Sequence, residues 1–273
     1  MNPGSGCVLY TKDSVSVSGK ENFFLPKNLQ LIVTCEHGGN LVPERYVRLF
    51  QGVEETLGSH CGYDAGALEL AETLSRSLSV PLYASTVTRL LVDCNRSLRN
   101  RRSLFSEFTR RLDAAERTTI LEDAYLPHRT TVEAVVAEHV QRGQRVLHLA
   151  VHTFTPVFHG KIRMADAGLL YDPTRPLETR FCRAWQRALS DSASGLRVRR
   201  NYPYRGTADG FPAHLRHLFP DAVYLGIEFE VSQKYPLAGA AAWHRLQYVI
   251  AGTLDTAIRN FSGERPTSGT PGV

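Results

Sequence analysis

Four stretches of this chain end an apolar run on side chains able to bind metal, move protons or hold anions. Residues 31–35 (LIVTC) lead into Glu36, His37, Gly38 and Gly39, and 146–151 (VLHLAV) lead into His152. Residues 222–231 (AVYLGIEFEV) carry Glu228 and Glu230 near their end, and 90–94 (LLVDC) lead from Arg89 into Asn95 and Arg96. In open α/β sheets ligands bind outside the carboxyl ends of the strands, so these runs would deliver their polar residues to one edge.

Two imidazoles are half of a common zinc set, which needs a third His or carboxylate and leaves one position for water. His37 and His152 are the candidate imidazoles. The third ligand is Asp64, in H-C-G-Y-D-A-G-A, or Glu36. Glu36 neighbours His37, and adjacent strand residues point to opposite faces, so it needs an irregular turn to reach the same ion. Asp64 is favoured, although an Asp opening a helix also suits N-capping. Gly38 and Gly39 would allow backbone to approach a metal or substrate closely. His148 shares a face with His152 but lies deeper, which suits a core or supporting role.

Glu228 and Glu230 are two apart in a strand and share a face. Buried carboxylates need partners or a task, and one of these suits a general base toward zinc-activated water. Arg89, Asn95 and Arg96 offer donors for a substrate carboxylate, and an arginine near a metal can oppose developing oxyanion charge. The segment N-Y-P-Y-R-G places Tyr204 and Arg205 in a turn that would form a substrate lid or a plain loop.

The elements that position these residues follow from periodicity. Residues 31–35, 81–86, 146–153 and 222–231 read as strands, and 90–94 as a further one. Residues 64–79, 130–143, 175–192 and 239–260 read as amphipathic helices. Apolar strands separated by helices predict a mostly parallel sheet covered on both faces.

The chain has 273 residues, which predicts one domain over 29–261, a polar lead-in over 1–28 and a disordered tail over 262–273. No run of about 18 apolar residues predicts a membrane span. The opening residues lack a signal-peptide layout, so the expected location is cytoplasmic. The five cysteines form no C-x-x-C pair, which argues against a disulfide framework or a cysteine zinc knuckle. The net charge of +5 suits an anionic small-molecule pocket, a solvated surface or a polyanion partner. Nucleic acid is not expected, because few aromatics stand near the arginine clusters to stack on bases.

Taken together, C-E-H-G-G-N with a following V-P (35–43), D-A-G-A (64–67), T-R-L-L-V-D-C-N-R (88–96), V-H-T-F-T-P (151–156) and G-I-E-F-E-V-S-Q (226–233) resemble the N-formylglutamate amidohydrolase family. The resemblance covers about residues 30–260. It implies a three-layer α/β/α fold with a mostly parallel mixed sheet, related to the zinc carboxypeptidases. It implies one zinc ion on His37 and His152, with Asn95 and Arg96 on the substrate carboxylate, Arg89 facing the carbonyl and Glu230 activating water. The implied reaction hydrolyses an N-acyl amino acid, with N-formyl-L-glutamate as reference substrate. A peptidase or amidase on another acylated substrate, and a basic binding protein without catalysis, are the alternatives. One departure stands out. Zinc carboxypeptidases carry a carboxylate ligand three residues after the first His, where this chain has Asn40, so the third ligand must come from elsewhere.

Overall fold

The computed structural model describes residues 7–10, 28–192 and 195–263. Most of the polar lead-in, and the tail from 264 on, lie outside the described residues. The strands are β1 (Cys7–Tyr10), β2 (Leu29–Cys35), β3 (Leu82–Ser85), β4 (Arg145–Phe154), β5 (Val157–Phe158), β6 (Lys161–Ile162), β7 (Ala167–Leu170), β8 (Val198–Arg200) and β9 (Tyr224–Ser232). The helices are α1 (Glu54–Leu57), α2 (Ala67–Leu78), α3 (Ala114–Ile120), α4 (Leu126–Gln141), α5 (Pro176–Ser192), α6 (Phe211–Leu218), α7 (Lys234–Ala238) and α8 (Ala240–Gly263).

Seven strands form one sheet in the order β1-β3-β2-β4-β9-β7-β8. β3, β2, β4 and β9 run parallel, β1 is antiparallel to β3, and β7 is antiparallel to β9. The two central strands, β4 and β9, are buried almost throughout, which is why they read as near-continuous apolar runs. α2, α5 and α8 cover one face through a core that includes Leu70, Trp185, Phe229 and Trp243. α4 and α6 cover the other through Ile32, Val132, Phe211 and Tyr224. A third cluster, including Phe50, Leu91 and Tyr125, packs segments 42–57 and 87–125 against each other. No helix among the described residues is long and apolar enough to cross a membrane.

Three sequence expectations change. Cys7–Tyr10, within the expected lead-in, is a strand that closes the sheet edge beside β3. Residues 90–94 form turns and not a strand. The β3 edge is already taken by β1, and the segment satisfies its backbone locally, with Leu91 N–H donating to Thr88 O and Asp93 N–H to Leu104 O. The glycine pair serves backbone crossing. A Cβ on Gly39 would stand 2.5 Å from the carbonyl oxygen of Thr86, where segment 38–41 bonds to 85–88.

Asp166 ties the far edge of the sheet together. Its buried carboxylate accepts from the Arg197 backbone at 2.7 Å and Arg197 Nε at 3.1 Å, and it pairs with Lys234. Burial pushes its pKa up, but the bonds from Arg197 and Lys234 outweigh that and hold it below the usual range. Asp166→Asn should therefore cost about 1–3 kcal/mol at neutral pH, by loss of charge-assisted bonds. A depressed folded-state pKa gives stability that is present above about pH 4 and lost as pH falls through the folded value. The melting-temperature gap between wild type and variant should narrow as pH drops from 7 toward about 3; a constant gap would show that the charge is not what matters.

Candidate metal centre and active site

β2 ends at Cys35, and the next two side chains part company. Glu36 continues the strand's alternation and stays on the face that carries Thr34, fully buried behind His152. His37 lies past the strand end and turns its ring above it. β4 carries His152 near its own carboxyl end, and the two rings meet edge to face with centroids 5.0 Å apart.

Asp64 lies between them. Its Oδ2 is 2.9 Å from His152 Nδ1 and 3.3 Å from His37 Nδ1. One ligand atom from each of His37, Asp64 and His152 lies within 4.8 Å of the others, and all three residues are buried. Asp64 does not cap α2. That helix begins at Ala67 after Gly66, where a φ of +81° and a Cβ that would stand 2.6 Å from Pro236 exclude a side chain. The carboxylate is thereby free to face the imidazoles.

The outer nitrogens of both rings point at other carboxylates. His37 Nε2 is 2.7 Å from Asp93 Oδ1. His152 Nε2 is 3.1 Å from Glu36 Oε2, an ion-pair contact without hydrogen-bond alignment. On His37 the Asp93 carboxylate holds a ring proton at Nε2 and leaves Nδ1 as the donor, the usual support for a metal-binding histidine, while His152 Nε2 also meets Asn95 Nδ2 at 3.4 Å. Tetrahedral zinc with ligands at about 2.0–2.1 Å spaces them about 3.4 Å apart. The Asp64 contacts lie within about half an ångström of that, so the donor set fits a metal ion. Among the described residues this is the one group of three or more His, Cys, Asp and Glu side chains with that spacing.

Arg89 braces the acidic side of the cluster. Its NH1 is 3.3 Å from Asp64 Oδ1 and its NH2 is 2.8 Å from Asp93 Oδ2. Burial opposes the guanidinium's charge, but Asp93 and Asp64 more than restore it and raise its pKa. Burial likewise pushes Asp64 and Asp93 up. His37 and Arg89 outweigh that and hold both well below the usual carboxylate range, so both stay ionised.

The cluster forms the floor of a cavity of about 370 Å³, whose walls include Asn95, Arg96, Tyr204, Arg205, Glu228 and Glu230. The register pairs His152 with Glu230 and Ala150 with Glu228, so both carboxylates share the histidine's sheet face. They are engaged differently. Glu228 accepts from Asn95 Nδ2 at 2.9 Å, and Asn95 Oδ1 accepts from the Phe211 backbone at 2.6 Å, so Asn95 fastens its turn to β9 and α6. Glu230 Oε2 is buried and meets no hydrogen-bond donor among the described residues. Burial pushes the Glu230 pKa up to about 8.

Arg96 donates from NH1 to the Asp209 backbone carbonyl at 2.7 Å, anchoring one end of its fork beside the cavity. Tyr204 is 44% exposed on the rim, where its hydroxyl accepts from Arg163 NH2 at 3.1 Å, and Arg205 is exposed next to it. His148 sits in the core, bonded to Thr34 and Tyr224, and burial lowers its pKa to about 4. Asp93 and His128 received no role from sequence. Asp93 had a signal, two residues before Asn95 in D-C-N-R. His128, 3.4 Å from Glu36 across 92 positions, had none.

The model of a family described as N-formylglutamate amidohydrolase matches residues 29–235. Among curated proteins, none matches the sequence significantly. The structure of a gene product of Agrobacterium tumefaciens is similar at a TM-score of 0.74 and 26% identity, covering 94% of this chain and 96% of that one. An N-formylglutamate amidohydrolase from Ralstonia eutropha is similar at a TM-score of 0.65 and 20% identity, covering 94% and 99%. A metallo-carboxypeptidase from Burkholderia cenocepacia reaches a TM-score of 0.38 at 13% identity, covering 93% and 60%, too slight a likeness to carry an argument.

Proposed function

This chain belongs to the N-formylglutamate amidohydrolase family, and from that footing we propose that it hydrolyses the amide bond of a small acidic N-acyl amino acid, with N-formyl-L-glutamate as substrate and formate and L-glutamate as products. The observation that carries the reading is one cavity in which the His37–Asp64–His152 cluster stands beside Glu230, whose Oε2 has no donor among the described residues.

His37, Asp64 and His152 would hold a zinc ion, which when bound supplies a Lewis acid for the amide carbonyl and raises the acidity of water. Asp93 and Glu36 hold the imidazole rings in orientation. Glu230 takes the proton of the attacking water at its free oxygen and returns it to the departing amine. A new C–O bond thus replaces the C–N bond. Arg89, at the edge of the cluster, opposes charge that builds on the carbonyl oxygen. Arg96 and Arg205 bind the acid groups of the substrate, Asn95 sets the position of Arg96, and Tyr204 closes the rim.

The size of the cavity supports a small substrate. Its volume of about 370 Å³ lies near the low end of the roughly 300–1,000 Å³ range of small-molecule sites. Arg96 and Arg205 on its wall, with Arg89 beside the cluster, favour acidic substrates over neutral ones. The test is a panel of N-formyl and N-acetyl amino acids on zinc-loaded protein, followed by release of free amine. N-formyl-L-glutamate should give the highest kcat/KM. Arg96→Ala should lower it by about 10–100-fold for acidic substrates, through loss of a charge-assisted bidentate contact, and much less for N-formyl-leucinamide. Equal losses on both would remove Arg96 from substrate binding, and no turnover anywhere in the panel would remove the substrate class.

A further inference from the structure

A second cavity, of about 690 Å³, opens between α4, α6 and the turn that follows Arg96. Ala208 and Asp209 line both cavities and form the wall between them. Apolar side chains dominate its surface, including Leu98, Leu126 and Leu218, which are 55%, 36% and 47% exposed with nothing packed over them.

Arg129 stands in its wall and is 5% exposed. Its guanidinium lies 4.3 Å from the ring centre of Phe211 and 5.1 Å from that of Tyr125. Among the described residues its one hydrogen bond runs from NH1 to the carbonyl of Cys94, at 3.0 Å. Guanidinium carries five N–H donors, so most of the fork is uncommitted. Among the described residues no carboxylate pairs with it. The two acidic residues of the lining are engaged elsewhere: Glu133 with His214 at 3.2 Å, and Asp209 with the Ser97 backbone and Asn100.

A buried cation without an anion is costly, and aromatic faces offset that cost only in part. The free nitrogens of Arg129 are not sealed in the protein, since none is a buried atom lacking a partner, so they open on the cavity. The rings fix the fork in place, which lowers the entropic cost of binding a planar anion.

We propose that this cavity is a binding site, separate from the metal cluster, for a small organic carboxylate with an apolar body. The carboxylate sits on the fork of Arg129, and the body lies against Leu98, Leu126 and Leu218. Apolar walls favour such a ligand over inorganic phosphate, which has no apolar surface to bury.

Calorimetric titration of the metal-loaded protein with 4-phenylbutyrate, 4-phenylbutyramide and inorganic phosphate tests this. The acid should bind once per chain, with the amide and phosphate each about tenfold weaker or more. Arg129→Gln should weaken the acid by a similar factor. Thr130 lines this cavity and not the other, on the exposed side of α4, so Thr130→Trp should fill the site and abolish binding while the fold persists. The Trp variant and the acid–amide comparison decide the matter even if Arg129→Gln does not fold. Undiminished binding in Thr130→Trp, equal affinities for acid and amide, or no heat up to about 10 mM acid would each overturn the proposal.

Discussion

Glu230→Gln is expected to leave the metal in place and lower kcat by about 10²–10⁴-fold, the usual contribution of a positioned general base. Gln keeps the shape and loses the proton acceptor. A group that acts only as the proton moves should affect kcat and kcat/KM alike, with KM little changed. Glu228→Gln is the informative partner. Glu228 already accepts a bond from Asn95, and the carbonyl of a glutamine can accept the same bond, so a loss below about tenfold is expected. The contrast follows from an asymmetry two residues wide: one carboxylate is tied and the other has an oxygen with no donor. Elemental analysis and steady-state kinetics on both variants check it. If Glu228→Gln is the inactive one, the roles are reversed.

The second large effect concerns the imidazoles. His37→Ala and His152→Ala should each bring zinc from one per chain to near none after dialysis against a weak chelator, and activity should vanish with it. Each change removes a donor and also takes one partner from a buried carboxylate, Asp93 in the first case and Glu36 in the second. Asp93→Asn should act one layer out. Changing the carboxylate behind a metal-binding histidine costs about 10–100-fold in affinity, so zinc should still bind but exchange out more readily. Competition with a chromogenic chelator ranks the three variants. Full zinc occupancy in both alanine variants would remove these histidines from the metal site.

Two of the residues that matter most here were ambiguous in the sequence for a shared reason. Asp64 and Glu36 are both acidic, both near His37 in sequence or in the proposed site, and neither carries a local mark of its direction. The end of β2 decides between them: Glu36 follows Cys35 directly and keeps its carboxylate buried on the sheet face behind His152. Gly66 decides in the same sense by taking the N-cap position of α2, which begins at Ala67, and this releases Asp64 from capping. Glu228 and Glu230 were ambiguous likewise. Both share one face of one strand, and only the arrival of Asn95 from a turn 133 positions away separates them.

The sequence by itself determined the buried strand that leads into His37 and the two that carry His152 and Glu230 near their carboxyl ends, because continuous apolar runs and polar residues near strand ends are local patterns that burial on both faces imposes. It determined the covering helices α2, α4, α5 and α8 too, since helical patterning is also local, but not α6, whose eight residues make a short pattern. It did not reveal β1, β7 or β8, which have only three or four residues each and exist through pairing with distant partners. The tertiary structure alone decided which carboxylate faces the imidazoles, which glutamate keeps a free oxygen, and that Arg129 is buried beside a cavity without an acid. Each of these depends on groups brought together across tens to more than a hundred positions, a distance over which residue spacing along a chain carries no direction.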